Sequence, residues 1–229
     1  LEAGRIAGGQ TQNTTAKITS QHGLIYSRLI QSFGEETARW YAKANQDAVR
    51  AYQDLIDVQG ISCDWEERCA YLYGPDVTVL QEEAEAARRL GLPASFTREV
   101  SIPIPHDGAV CFEGQAQFHP LKFLKVLADQ LTIYEQSRVL TAEGDLLTTE
   151  LGSVQAEHIV FACHFPFVNF PGMYFARMHQ ERSYVLALQG APPVDGMFLG
   201  VGRDTFSLRT YGELLLLGGG GHRTGENTE

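Results

Sequence analysis

Two periods of apolar residues divide this chain, and no all-helix or all-strand fold accommodates both. Leu24, Leu29, Ile30 and Phe33, then Ala38, Tyr41, Ala44, Ala48, Ala51, Tyr52 and Leu55, recur at helical spacing between residues 23 and 58. That spacing lines them up on one face of a helix. Gly34 interrupts the run, so two helices are expected, the second from Glu35 to Asp57. Asp76 to Leu90 repeats the pattern with Val79, Leu80, Ala84, Ala87 and Leu90, and Gly91 follows as a stop signal. Pro120 to Leu131 is a further helix with Pro in its first turn. Elsewhere the period drops to two or to short apolar runs. Strands are expected at Cys63–Tyr73, Thr97–Pro105 (where Val100, Ile102 and Ile104 alternate), Ala109–Phe118, Ile133–Leu140, Leu146–Thr149 and His158–Ala162. Ser183–Leu188, Met197–Val201, Ser207–Tyr211 and Glu213–Leu217 add a late run of hairpin-like strands. Strands interleave with helices early and dominate late. The expected class is α/β (α+β), a large antiparallel sheet attached to a parallel one.

Composition narrows the partners. The 229 residues carry 18 basic and 28 acidic side chains, a net charge of −10, which argues against nucleic acid or an anionic membrane as the main partner. An apolar content of 44% with 10% aromatics fits a folded protein. No apolar run reaches the length of a bilayer span, and the N-terminus has no charged-then-apolar leader pattern. The chain opens on Leu1 rather than Met, so the sequence is expected to be an internal piece of a longer protein. Cys63, Cys69, Cys111 and Cys163 match no common zinc or iron–sulfur spacing and are expected to be reduced thiols of a cytoplasmic protein. The seven histidines form no His-x-x-x-His pair, so no metal site is expected, and the lack of a Gly-x-Ser-x-Gly turn argues against a hydrolase.

Three segments carry candidate chemistry. In a dinucleotide-binding βαβ unit an acid about 20 residues beyond the glycine fingerprint binds the adenosine ribose. Glu2, in Leu1-Glu2-Ala3-Gly4, is a candidate for that acid, with an ordinary surface Glu as the alternative. The stretch from Gly4 to Lys17 is rich in Gly, Thr and amide side chains. Such a stretch lets backbone approach a ligand and supplies neutral donors, or is simply a polar loop. The run Gly218–Gly221 ahead of His222 and Arg223 is either an anion-binding nest or a tight turn after a buried strand.

The order Leu1-Glu2-Ala3-Gly4, Gly8-Gly9, Thr14-Thr15-Ala16-Lys17, followed by a long helix, resembles the FAD-dependent oxidoreductases of the D-amino-acid-oxidase and glycine-oxidase family. So do Phe118-His119-Pro120-Leu121-Lys122 opening a helix, Val139, and His158-Ile159-Val160-Phe161-Ala162-Cys163-His164, where Cys and His replace the family's usual Thr and Gly. Phe175–His179, Arg182–Tyr184 and Gly218–Gly225 resemble a branch whose members often carry a Rieske iron–sulfur domain, although no Rieske ligands occur in this chain.

The resemblance implies FAD as cofactor. It implies a partial Rossmann-like FAD-binding domain (1–60 and 118–170) and an antiparallel-sheet substrate domain (61–117 and 171–229), with the chain truncated at both ends. The implied FAD contacts are Glu2, Ala3, Gly8, Gly9, Thr14, Thr15, Ala16, Val139 and Ala162. The implied substrate-side residues are His222, Arg223, Arg209 and Tyr211, with Arg177, His179, Arg182 and Tyr184 as further candidates. No catalytic acid or base is singled out. The implied reaction is oxidation of an amine or amino-acid-like small molecule by hydride transfer to FAD. Such a piece, without the helix N-terminus that carries the diphosphate, is expected to retain FAD weakly or not at all. The alternatives are a substrate, cap or binding domain without activity of its own, and a NAD-dependent dehydrogenase, which would need neither the Thr-rich loop nor the large sheet.

Overall fold

Gly34 interrupts the first helix as its sequence position suggests. Helix α1 (Tyr26–Gln59) has a non-helical residue at Gly34 (φ 82°, ψ 162°), so two helical segments meet at a kink. Gly60 closes α1 in the left-handed region, and its N–H bonds back to Ile56 and Asp57. The computed structural model describes residues 1–202 and 205–225.

The remaining elements follow in order around β1 (Lys17–Ile18), which precedes α1. They are β2 (Glu66–Gly74), α2 (Val77–Arg89), β3 (Ala94–Thr97), β4 (Gly108–Gln117), α3 (Pro120–Ala128), β5 (Val139–Glu143), β6 (Leu146–Thr149) and β7 (Gly152–Gln155). Then come the short α4 (Tyr174–Arg177), β8 (Glu181–Gln189), β9 (Met197–Gly200), β10 (Ser207–Tyr211) and β11 (Leu214–Arg223). Asp76 caps α2 by accepting from the N–H groups of Thr78 and Val79.

By contact the chain divides into two compact units. The larger comprises Thr15–Phe123 and Ser183–Gly220; the smaller comprises Leu1–Thr14, Leu124–Arg182 and Gly221–Glu229. An eight-stranded sheet runs β1–β4–β2–β9–β10–β11–β8, with β3 also paired to β4. The β2·β9 pair is parallel, while β1·β4, β2·β4, β3·β4, β9·β10 and β10·β11 are antiparallel.

Alternation along β2 sends Ala70 and Leu72 to one face and Tyr71 and Tyr73 to the other. The first face packs with Val110, Phe112 and Met197 against Tyr26, Ala38 and Ala42 of α1 and Leu80, Ala84 and Ala87 of α2. The second packs Tyr73, Ala109, Phe198, Leu208 and Leu215 under Val100, Ile102 and Ile104. The mixed α/β class read from the sequence is thus the observed one. The smaller unit holds a three-stranded antiparallel sheet, β5–β6–β7.

Four local expectations are corrected. Residues 98–105 form no strand: Val100, Ile102 and Ile104 do pack on the sheet, but Pro103 and Pro105 lack the N–H groups a ladder needs. Residues 158–162 are irregular, and Val160 is 86% exposed, so this apolar run has no ladder partner among the described residues. The strand expected from Ile133 begins only at Val139, because Tyr134, Gln136 and Ser137 give their backbone groups to Glu2 and Gly4. Finally, Gly218–Gly221 lies inside β11 rather than in a turn. A Cβ at Gly219 would sit 2.7 Å from the Phe206 ring, and one at Gly220, where φ is +65°, 3.3 Å from Tyr184. Close ring packing, not a reversal of the chain, explains those glycines.

Among the described residues, no helix is long and apolar enough to cross a membrane, and no group of three His, Cys, Asp or Glu side chains is placed to hold a metal. All four cysteines are free, and only Cys163 is exposed.

Candidate functional site

Strand β10 places Ser207, Arg209 and Tyr211 on one face at a period of two. Arg209 is only 3% exposed. Its Nη2 donates to the Phe118 carbonyl at 3.5 Å, and its guanidinium carbon lies 5.6 Å from the Tyr211 ring centre. Its Nε and Nη1 are buried without an acceptor. Burial pushes the guanidinium pKa down, and the negative charges of Glu66 and ionised Tyr211 oppose that.

Lys17 reaches the same place from β1. Its Nζ donates to the Phe198 carbonyl at 2.7 Å and to the Ser207 hydroxyl. Desolvation, and then the charge of Arg209, lower its pKa to about 7. The segment before it is fixed by Ala16, which is buried at φ 50° and whose carbonyl accepts from the Phe118 N–H at 3.4 Å. Phe118 therefore joins the Thr15–Lys17 segment to Arg209.

Beside them, Gln117 donates from Nε2 to Glu66 and to the Thr210 carbonyl, both at 3.0 Å, while its Oε1 is buried without a donor. Gln117, Glu66, Arg68, Val194, Asp195 and Thr210 line a cavity of about 350 Å³.

Tyr211 extends the network outward. Its hydroxyl donates to Asp64 at 2.9 Å, and Lys122 Nζ donates to both Asp64 oxygens at 2.8 Å. The Lys122 and Tyr211 hydrogen bonds hold the Asp64 carboxyl below its ordinary pKa, while burial and then Asp64 push the Tyr211 phenol up. The His119 ring stands edge-on to Tyr211 at 5.8 Å.

In the smaller unit, Glu2 is held on both sides of its peptide: its N–H donates to Tyr134 and its carbonyl accepts from Ser137. Its Oε1 accepts from the Gly4 N–H at 2.7 Å. Gly8 closes a turn onto the Arg5 carbonyl, and the side chains of Gln12 and Asn13 bond the carbonyls of Gly8 and Gly9. A Cβ on Gly9 would meet nothing within 4 Å, so the backbone there is open to approach. Ala3 and Thr14 are exposed, Val139 opens β5 half-buried, and Ala162 is exposed in an irregular stretch.

The sequence candidates therefore sort into groups. Thr15, Ala16, Arg209 and Tyr211 share the larger unit, and Ala16 and Arg209 both bond to Phe118. Glu2, Ala3, Gly8, Gly9, Thr14, Val139 and Ala162 belong to the smaller unit. His222 and Arg223, at the end of β11, fall there too, and so do Arg177, His179 and Arg182, all three exposed. Tyr184 is an exposed residue of β8 in the larger unit, 56% accessible. Lys17, Ser207, Gln117, Asp64 and Lys122 were not singled out from the sequence. The period-two spacing of Ser207, Arg209 and Tyr211 was the available signal for that face.

Comparison with known proteins gives the family. The family of FAD dependent oxidoreductases (DAO) matches residues 1–229. A Bacillus subtilis (strain 168) protein named for a Rieske 2Fe-2S iron–sulfur centre, YhfW, is 36% identical over 245 residues, covering 99% of this chain. The chain spans about half of that relative, 48% of its length. Among solved structures, glycine oxidase from Geobacillus kaustophilus superposes with a TM-score of 0.68 at 14% identity over 97% of this chain and 64% of its own. L-proline dehydrogenase from P. horikoshii gives 0.63 at 13% identity over 82% and 57%. At such identities the superpositions establish a shared fold. With the match over its full length, the chain belongs to the FAD dependent oxidoreductase family.

Proposed function

We propose that the protein to which this sequence belongs oxidises an amine or amino-acid-like donor by hydride transfer to FAD. The full-length family match is the observation that carries the reading. The names of the structural neighbours, glycine oxidase and L-proline dehydrogenase, support an amino-acid-like donor.

The donor set fits FAD. In the smaller unit the proposed contacts are Glu2, Ala3, Gly8, Gly9, Thr14, Val139 and Ala162; in the larger they are Thr15 and Ala16. Glu2 supplies a carboxylate suited to ribose hydroxyls, and the Thr hydroxyls with the open backbone at Gly9 suit phosphate or ring oxygens. FAD, when bound, accepts the hydride from the carbon beside the donor nitrogen. The chain's own residues bind, orient and exclude water. For the donor side we propose Arg209 and Tyr211, with His222 and Arg223 as the contribution of β11. The assignment of 1–60 and 118–170 to a cofactor domain, and of 61–117 and 171–229 to a substrate domain, belongs to the same proposal.

A second reading is that these 229 residues act as a substrate or cap domain that does not hold the cofactor alone. It is favoured by the smaller unit, which contributes no buried side chain among the described residues. Flavin titration separates the two, with this chain set against a longer product of the same gene. The longer protein is expected to be yellow, with flavin absorbance that bleaches when an amino acid or secondary amine is added without oxygen. A colourless longer protein that takes up no FAD would refute the oxidoreductase reading. Tight stoichiometric uptake by the 229 residues alone would refute the cap-domain reading.

A further inference from the structure

The cavity of about 350 Å³ beside the end of β10 lies wholly in the larger unit, and none of the residues proposed above for flavin or donor binding lines it. Its wall has acceptors without donors. Gln117 is 4% exposed. Its Nε2 donates to Glu66 and to the Thr210 carbonyl, so turning the amide over would set its oxygen against two acceptors. Its Oε1 therefore stays buried with no donor. Buried polar atoms are nearly always paired, so an orphaned one on a cavity wall marks a missing partner.

The two carboxylates on the wall repeat the pattern. The bonds that Glu66 accepts from Arg68 and Gln117 all fall on Oε2. Arg68 reaches Asp195 at Oδ1. Glu66 Oε1 and Asp195 Oδ2 keep their capacity to accept. The donors nearby are engaged. Arg68 directs Nε and Nη2 to Glu66 and Nη1 to Asp195, and the Thr210 hydroxyl donates to the Val194 carbonyl. The lining side chains carry one net negative charge, two carboxylates against one guanidinium. Arg209 acts on Glu66 from outside the lining and weakens that field, so the surplus of acceptors selects the ligand more than the charge does.

We propose that this cavity binds a small primary alkylammonium ion. An ammonium group carries three N–H donors and no acceptor. It complements the oxygens of Gln117, Glu66 and Asp195, while Pro193 and Val194 line the cavity as an apolar wall for the alkyl stem. An anion would meet an Arg68 already held by both carboxylates. An amino-acid zwitterion would set its own carboxylate against Glu66 and Asp195, so the cavity does not duplicate the donor side proposed above. The site needs no flavin and does not depend on that proposed function.

The test is thermal unfolding of the 229-residue chain without added flavin, at pH 7 and at an ionic strength held constant with sodium chloride. The probes are n-propylammonium chloride and tetramethylammonium chloride, a cation of similar bulk without N–H groups. Propylammonium is expected to raise Tm saturably, by on the order of 5 °C at a hundred times the half-saturating concentration. Tetramethylammonium is expected to give no saturable shift. Gln117→Leu should abolish the propylammonium effect. Asp195→Lys, at a side chain 93% exposed, leaves the fold intact and should raise the half-saturating concentration at least tenfold. Should the Gln117 variant not fold, the Asp195 variant decides alone. No saturable shift with propylammonium, an equal shift with tetramethylammonium, or an unchanged half-saturating concentration in Asp195→Lys would overturn the site. None of these outcomes bears on whether the protein uses FAD.

Discussion

The two compact units are made from one sequence yet differ in how they satisfy their own surfaces. Among the described residues, every buried side chain, apolar or polar, belongs to the larger unit. The smaller unit instead leaves Leu151, Val160 and Phe170 at 76–86% exposure and Leu131 at 67%. The larger unit has exposed apolar groups too, such as Phe33 and Trp40 on α1, but these sit outside a finished core. The difference teaches where stability resides. Residues such as Phe112 are surrounded on both sides, whereas the apolar groups of the smaller unit gain little from one another.

A pair of substitutions gives the largest effect and breaks the comparison if it is wrong. Phe112 is 0% exposed between the sheet and Tyr26. Phe112→Ala should cost about 3–5 kcal/mol, read as a fall in the urea midpoint. Phe170→Ser, at 76% exposure, should change stability by no more than about 0.5 kcal/mol. Comparable losses from both would show that the smaller unit has a core of its own.

Next in size is Glu83. Helix α1 has no side-chain cap from its own N-cap residue, Ile25, and Glu83 of α2 performs that role from a distance. Glu83→Ala strips acceptors from three backbone N–H groups and should cost about 3 kcal/mol, with Glu83→Gln recovering part of it. Hydrogen exchange should show the loss first at Ile25–Ser27. Unchanged protection there would mean that solvent replaces the carboxylate without cost.

How far the sequence revealed this arrangement depended on the range of the interaction. Asp76 ahead of α2, Gly91 after it and the alternation in Ser207–Tyr211 are local signals, and the elements appear where those signals put them. Val100, Ile102 and Ile104 alternate and were expected in a strand; they do pack, partly buried, on the sheet, but Pro103 and Pro105 forbid the pairing. Glycines signal turns, yet at Gly219 the cause is a ring packed against a strand. The site was half legible. Arg209 and Tyr211 came from the family resemblance, but Lys17 meets Ser207 across 190 residues and Glu83 meets Tyr26 across 57, distances no local pattern reports.

Lys17 sharpens the comparison through pH. Its folded pKa, about 7, lies below the ordinary 10.5, so the unfolded chain binds more protons between those values. Stability contributed by this group therefore rises as pH increases through that window. Between pH 7 and 8 the gain is about 1 kcal/mol. In Lys17→Met that increment should vanish from the unfolding free energy. An identical pH slope in both proteins would mean the ammonium is solvated rather than buried.

The smallest effect is expected at Asp64, where the larger unit reaches solvent. Its partners Lys122 and Tyr211 hold the carboxyl below its usual pKa, but the Asp64 and Lys122 side chains are 33% and 48% exposed. Screening by water makes such a pair weak. Because the folded pKa is depressed, the contribution is present above the ordinary carboxylate range and is lost as pH falls through the folded value. Asp64→Asn should thus be slightly less stable than the parent at pH 7, with the gap narrowing as pH falls below the ordinary carboxylate range. Salt should close the gap at pH 7 as well. A gap that survives both acid and high salt would place the Asp64–Tyr211 contact in the buried network with Arg209, not at its exposed rim.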